Sequence, residues 1–393
     1  MDEKISMIRR MLKIPDEVLA VNGGSWGPVN TAALEAMKAS FEMAQETRYF
    51  PDTTMALMAQ TRDADRSEVA LLLGCEARDI ALVESTTYGI NACLWGMDWE
   101  PDDEIIAGTM ENPAIQAPLE TLAKRRGVKI VWVRQAPLDQ DMEDALLAAV
   151  TAKTKALVIS HVLYCDGRIL NISLLSEQMR PKGILTIVDG VQAANTIPVD
   201  VRALNCDVYA VARHKFCCGP DGAGAMYVRP SALAHFSPTI CGVFSHEEHG
   251  NGGYRPLKSP QMFEVSTCAF QVNAGACAAL KWLRTQVGYQ YIYARTERLR
   301  EQLWQQLNED DRIELLSARE GYTGLILLRH RDYSCEELKK YLDKEKVYCR
   351  VVEHRQPPYY DDSFKGVRIA VSYWNRESDI DGIAGVFNQL KTI

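Results

Sequence analysis

The 393-residue chain has no CxxC pair and no HExxH segment, and its 7 histidines are dispersed. Those missing spacings are the ones that bring thiolates and imidazoles onto a zinc ion, so no metal centre is expected. No long basic run is present and the formal net charge is -8, which speaks against a nucleic-acid or anionic-membrane surface. Apolar runs are short. Ala156-Leu157-Val158-Ile159 is among the most apolar, far below the ~20 residues a membrane-crossing helix needs. Asp2, Glu3 and Lys4 lead into no apolar stretch, so a secretory leader is not expected. Neither an internal repeat nor a low-complexity linker is found. The 11 cysteines are scattered and odd in number. A chain of this length needs no disulfide staples, so reduced thiols and a cytoplasmic location are expected.

What remains is ordinary globular material: 47% hydrophobic and 24% charged residues, in a chain long enough for two domains. After an amphipathic helix within residues 1–20, Asn22-Gly23-Gly24-Ser25-Trp26-Gly27-Pro28 packs three glycines and a proline into a turn-rich loop. Helices are expected from Asn30 to about Gln45 and over Asp63–Leu73. Short apolar strands then alternate with helices. The strands fall at 80–83, 103–107, 128–133, 156–160, 184–188, 206–211 and 224–228, and the helices at 87–95, 115–126 and 141–150. This pattern predicts an α/β fold with a mostly parallel sheet and helices on both faces. The short turn between the last two strands allows antiparallel members there. Residues 241–260 read as a long loop and 270–308 as one long helical stretch. Strands at 323–329 and 366–372, with helices at 334–343 and 377–391, suggest a smaller C-terminal α/β domain. The expected division is 1–20 as an N-terminal segment packing on the small domain, 21–265 as the large domain, and 266–393 as connecting helix and small domain.

Four places in this frame have chemistry. Lys215 lies in Arg213-His214-Lys215-Phe216-Cys217-Cys218-Gly219-Pro220-Asp221-Gly222, between a strand and a glycine-rich turn. An amine held there can condense with an aldehyde to form a Schiff base; read locally it is equally a surface lysine at a strand end. Asp189 closes the apolar run Leu185-Thr186-Ile187-Val188, at the carboxyl edge where open α/β sheets bind ligands. A carboxylate there can keep a pyridine nitrogen protonated and make the ring an electron sink, or simply cap the turn before Gly190. Ser85-Thr86-Thr87-Tyr88-Gly89 joins strand to helix, a place for a phosphate or for a plain N-cap. Arg368, on a strand, suits a substrate carboxylate or an internal salt bridge.

Together these residues resemble the fold-type-I pyridoxal-5'-phosphate (PLP) enzymes of the class V aminotransferase group, which includes cysteine desulfurases, cystine or cysteine C–S lyases and isopenicillin-N-epimerase-like proteins. The resemblance spans nearly the whole chain and is most specific from Asp189 to Gly224. It implies Lys215 as cofactor anchor and Cα base, Asp189 as partner of the ring nitrogen and Gln192 as contact of the ring hydroxyl. It implies phosphate contacts from His214, Thr87 and the adjacent Thr86, and a carboxylate site at Arg368, with Asn22, Tyr164 and Arg355 also lining the substrate. Phe263-Glu264-Val265-Ser266-Thr267 resembles the segment whose last threonine reaches the neighbouring subunit's phosphate, which implies a homodimer with active sites at the interface.

Departures from the family pattern narrow the reading. Asn112 stands near the position where the group stacks an aromatic ring on the cofactor, so stacking is either lost or supplied by another residue such as Tyr88 or Tyr164. Ala212 replaces a hydroxyl residue, and Arg213 replaces a small one, either as a phosphate neighbour or pointing outward. Arg355 falls near the position of the desulfurase cysteine, while Cys349 lies in the preceding strand and Cys217-Cys218 in a core strand. The expected function is therefore β-elimination from a cysteine- or cystine-like amino acid. Alternatives are an amino-acid epimerase, with Tyr164, His161 or His354 as second acid/base, a cysteine desulfurase, and a catalytically weak scaffold.

Overall fold

The computed structural model describes residues 3–250, 252–354 and 364–390. Helices α1 (Glu3–Leu12), α2 (Thr31–Thr47) and α3 (Pro51–Leu73) open the chain, separated by the two-residue strand β1 (Leu19–Ala20). Helix α3 starts twelve residues before the expected Asp63, because Pro51 at its first turn supplies a ready-set φ.

Seven strands follow: β2 (Ile80–Val83), β3 (Glu104–Gly108), β4 (Lys129–Val133), β5 (Thr154–Ser160), β6 (Leu185–Asp189), β7 (Val208–Ala212) and β8 (Gly224–Val228). They form one sheet in the order β2-β8-β7-β6-β5-β3-β4. Strands β3 to β7 run parallel, and β8 is antiparallel to both β7 and β2. All residues of β6, β7 and β8 are buried, as expected for strands covered on both faces. Two apolar clusters, one containing Ile159, Val188 and Tyr209, the other Val158, Ile187 and Ala210, lie on the alternating faces. The carboxyl edge thereby gathers the residues after β3, β5, β6 and β7.

Two expectations about the second half are corrected. The stretch 241–260 is not all loop, because β9 (His246–His249) and β10 (Gly253–Pro256) pair as an antiparallel ribbon. Its side chains are mostly polar and exposed, which hides the strand signal. The stretch 270–308 is two helices, Phe270–Trp282 and Tyr289–Asn308, with a π-type turn over Leu283–Val287 and Gly288 at φ 86° between them.

The small sheet uses β11 (Ile313–Leu315), β12 (Leu325–His330), β14 (Arg350–His354) and β15 (Phe364–Ala370) in the order β11-β12-β15-β14, all antiparallel. The two-residue strand β13 (Val347–Tyr348) pairs with β1, and Arg9 of α1 forms an ion pair with Asp379 of the last helix. The chain start is thus tied to the C-terminal part. Among the described residues no helix is long and apolar enough to cross a membrane, and no group of three or more His, Cys, Asp or Glu is placed to hold a metal ion.

Candidate active site

Lys215 sits in the turn between β7 and β8, not on a strand, and that turn is pinned from several directions. The N–H of Cys218 donates to the Lys215 carbonyl (3.0 Å) and that of Gly219 to the Arg213 carbonyl (2.8 Å). Asn195 Nδ2 donates to the Phe216 carbonyl (2.7 Å), and Phe216 stacks on Trp374. From the other side, the Gly27 N–H donates to the His214 carbonyl (2.9 Å). A Cβ at Gly27 would lie 1.8 Å from the Lys215 carbonyl oxygen, so the turn-rich loop needs glycine to cross the lysine backbone. Cys217 and Cys218 are buried as expected, but they belong to this turn and not to a core strand. Burial pushes the Cys217 thiol up to about 12.

The Lys215 amine is desolvated, and its pKa falls to about 8; Asp189 opposes that drop while Arg368 and Arg350 add to it. The lowered value leaves far more of the amine neutral near physiological pH than an ordinary lysine has, which is what a carbonyl-condensing lysine requires. Asp189 ends β6, is 3% exposed and has its pKa raised by burial, against the pull of the Val191 N–H and of Lys215. Its Oδ1 accepts the Val191 N–H at 2.8 Å, so the turn-capping role is present alongside the orientation of the carboxylate into the edge. Gly190 is required next to it, since a Cβ there would meet the Tyr209 ring at 2.1 Å.

Gln192 Nε2 donates to the Gly24 carbonyl (2.9 Å), which clamps the N-terminal loop, while its Oε1 is buried without a partner in the protein. Asn22 Oδ1 and Arg368 Nε are also buried and unpartnered. Three orphaned polar atoms gathered around the 22–25 loop call for a polar ligand. Helix α4 (Thr86–Gly96) begins beside it, with Ser85 Oγ accepting the Tyr88 N–H (3.1 Å). Ser85 is the cap, which leaves the first-turn backbone of buried Thr86 and half-buried Thr87 for an anion. His214 is half-buried, its pKa lowered by desolvation and then by Lys215. A desolvated amine, a buried carboxylate, a helix start and unsatisfied polar atoms fit pyridoxal 5'-phosphate.

One expectation about this shell fails. Arg213 neither approaches a phosphate nor points outward. It is fully buried, with Nη2 on Asp65 Oδ2 (2.8 Å) and Nη1 on the Gly224 carbonyl (2.9 Å). Asn273 joins the same Asp65 oxygen at 2.9 Å. Arg213 thus ties the lysine turn to α3, and a buried charge of this kind must be paired. Asn112 is the N-cap of helix Pro113–Arg126, its Oδ1 accepting the Ala114 N–H (2.9 Å), so its side chain is committed to the backbone.

Arg368 lies on β15, 2% exposed, with Nη1 donating to the Tyr164 carbonyl (2.5 Å) and Nη2 to Ser25 Oγ (2.9 Å). It has no carboxylate partner among the described residues. Burial and then Arg350 lower its pKa to about 10. Tyr164 is partly buried, and its hydroxyl meets His354 Nδ1 at 2.8 Å. His354 Nε2 contacts the Thr109 carbonyl. A carbonyl only accepts, so Nε2 carries the proton and the Tyr164 hydroxyl donates to Nδ1. His161 is held instead by the Tyr209 hydroxyl (2.7 Å), and desolvation lowers its pKa to about 4. Thr267 is exposed in the run Ser266–Ala269, just after Glu264 is locked by Arg62, Arg66 and the Leu82 N–H. Arg355 falls outside the described residues. Sequence reading missed Arg350, Ser25 and Glu111. Arg350 and Arg368 share a register position only once β14 and β15 pair. Glu111, fully buried, accepts the Ser160 N–H (2.9 Å) and lies 2.5 Å from Ser160 Oγ.

The Aminotransferase class-V family profile matches residues 29–383. The chain belongs to that family. It is a PLP-dependent enzyme of fold type I, related to cysteine desulfurases and cystine C–S lyases. A probable cysteine desulfurase of Xylella fastidiosa is 28% identical over 326 residues, covering 81% of this chain and 77% of that protein. Isopenicillin N epimerase of Streptomyces clavuligerus is 30% identical over 248 residues, 62% of this chain and 61% of the epimerase. Among solved structures, the cystine C–S lyase C-DES in complex with its reaction product cysteine persulfide superposes with a TM-score of 0.87, at 25% identity, over 95% of this chain and 98% of that one.

Proposed function

We propose that this family member performs β-elimination on a cysteine- or cystine-like amino acid, releasing a sulfur leaving group without passing sulfur to a protein cysteine. In this reading PLP is held by Lys215, Asp189 and Gln192, with His214, Thr86 and Thr87 at its phosphate. The cofactor supplies a ring that takes up the electron pair left when the Cα–H bond breaks. Arg368 pairs the substrate carboxylate and fixes which bond faces Lys215. The Lys215 amine, neutral in good part near pH 8 by its lowered pKa, takes the Cα proton. The Cβ–S bond then breaks with its electrons leaving on sulfur, and hydrolysis yields pyruvate, ammonia and a thiol or persulfide.

The observation that carries this choice is the state of the thiols. No cysteine follows Cys349 in the sequence, and Cys349 itself is 5% exposed with its thiol pushed up to about 12 by burial. A sulfur-accepting cysteine must be mobile and ionisable, and neither Cys349 nor the buried pair Cys217–Cys218 is. The second reading, cysteine desulfuration, has the curated relatives more strongly behind it than elimination does, the Xylella protein among them. It would have to recruit one of the exposed thiols, Cys241 or Cys268.

Product analysis separates the readings. The purified holoenzyme is given L-cystine and L-cysteine in deuterium oxide. Elimination gives pyruvate and a free sulfur product. Desulfuration gives alanine and a persulfide on the protein that a Cys241→Ser, Cys268→Ser double variant loses. Epimerisation returns amino acid of opposite configuration with deuterium at Cα. Alanine in place of pyruvate would overturn the elimination reading.

A further inference from the structure

One feature of the cleft exceeds what a single substrate carboxylate needs. Arg350 and Arg368 stand directly opposite each other on the antiparallel strands β14 and β15. Like charges in that arrangement repel and destabilise the pair unless something compensates them. No carboxylate among the described residues pairs with either guanidinium. Both turn instead to one neutral acceptor: Ser25 Oγ receives Arg368 Nη2 at 2.9 Å and Arg350 Nη1 at 3.3 Å. The two are not equivalent. Arg368 is buried, with its Nε unpartnered, beside Tyr164. Arg350 is exposed. An amino acid carrying one carboxylate satisfies the inner guanidinium and leaves the outer one bare.

We infer that Arg350, with Ser25, forms a subsite for a second carboxylate at the far end of the substrate side chain, so that the protein selects amino acids that are acidic beyond the sulfur. The charge count then closes: two guanidiniums, two carboxylates, and the substrate amine exchanged against Lys215. Ser25 fixes the spacing, since its one hydroxyl holds both guanidiniums while each keeps further N–H groups for a ligand. The lowering that Arg350 exerts on Arg368, and that both exert on Lys215, is relieved when both guanidiniums are paired with carboxylates. The inference rests on the proposed function only in placing the amino acid beside Lys215; it does not depend on which bond breaks.

The test uses two probes without a leaving group, so that binding is read apart from turnover. L-2-aminopimelate and L-2-aminoheptanoate have the same chain length and differ in ending in a carboxylate or a methyl group. Their affinities for the holoenzyme are measured by calorimetry and by titration of the visible spectrum. The natural protein is expected to prefer the dicarboxylate by at least about tenfold, a difference of roughly 1.4 kcal/mol. Arg350→Gln is expected to reduce that preference to about twofold or less, and Arg350→Lys to restore part of it. A natural preference under about twofold overturns the inference. So does an Arg350→Gln protein that loses affinity for both probes equally, because both guanidiniums would then clamp one carboxylate. Pyruvate release from S-(2-carboxyethyl)-L-cysteine, assayed in parallel, keeps the two proposals apart. No pyruvate with the binding preference intact fails the elimination reading alone; pyruvate without the preference fails this one alone.

Discussion

The floor of the cleft and its wall are built on opposite electrostatic terms. On the floor, at the carboxyl edge of the large sheet, burial pushes ionisable groups toward neutrality. The Lys215 amine falls to about 8, the Glu111 carboxyl rises to about 8 and His161 drops to about 4, desolvation being the largest cause in each. On the wall, at the small sheet, Arg350 and Arg368 are guanidiniums that keep their charge despite each other and, for Arg368, despite burial. The floor is suited to moving protons and the wall to holding anions. On the proposed function, the chemistry of the reaction and the choice of substrate fall to separate parts of the chain.

The comparison is broken most decisively at Lys215. Lys215→Ala is expected to abolish both the visible absorption band that borohydride removes from the holoenzyme and the exchange of the substrate Cα proton. The expected fall in exchange is roughly 10²–10⁴-fold, the range for losing a positioned base. The measurements are the spectrum before and after borohydride, and deuterium uptake by mass spectrometry. A band that persists in the variant would remove Lys215 from its role. The wall is tested by Arg368→Leu. Truncating one partner of a buried charged contact costs about 2–5 kcal/mol. KM for the amino acid is accordingly expected to rise by about 30-fold or more, with cofactor content unchanged. If KM stays and cofactor is lost instead, floor and wall are not separable in the way described.

The two regions also differ in how far the sequence discloses them. Asp189, Gln192, His214 and Lys215 lie in one stretch between the ends of β6 and β7 and the following turn. A strand end beside a glycine marks such positions without tertiary information, and the alternation of short apolar strands and helices gives the large sheet. The wall is assembled from Ser25, Tyr164, Arg350 and Arg368, which meet only after a loop, the large sheet and two antiparallel strands have packed. No local spacing announces that Arg350 and Arg368 share a register position. The same limit explains Arg213 and Asn112. Arg213 looked like part of the phosphate shell because it neighbours His214, but its side chain crosses to Asp65, far away in sequence. Asn112, expected near the stacking position of the family, caps the helix it begins. The exposed ribbon β9–β10 was missed for a simpler reason: it has no apolar face for a period of two to reveal.

A prediction on stability, not on activity, sharpens the claim that the floor favours neutral groups. Glu111 is fully buried, contacts Ser160 through both oxygens and has no cationic partner among the described residues. Desolvation raises its carboxyl from the usual range to about 8, with Asp189 adding to the rise and the Ser160 hydrogen bonds opposing it. In the unfolded chain the same carboxyl loses its proton near its ordinary value. Between pH 5 and 8 the folded state therefore binds more protons than the unfolded state, and stability falls as pH rises through that window. Glu111→Gln keeps the shape of the protonated acid and has no proton to lose, so this contribution to the pH dependence disappears. The variant is expected to match the natural protein at pH 5 and to exceed it at pH 8 by on the order of a few kcal/mol. Denaturant unfolding of both proteins at the two pH values measures it. A variant destabilised equally at pH 5 and pH 8 would mean that Glu111 is held as a carboxylate, and that the floor tolerates a buried negative charge beside Asp189.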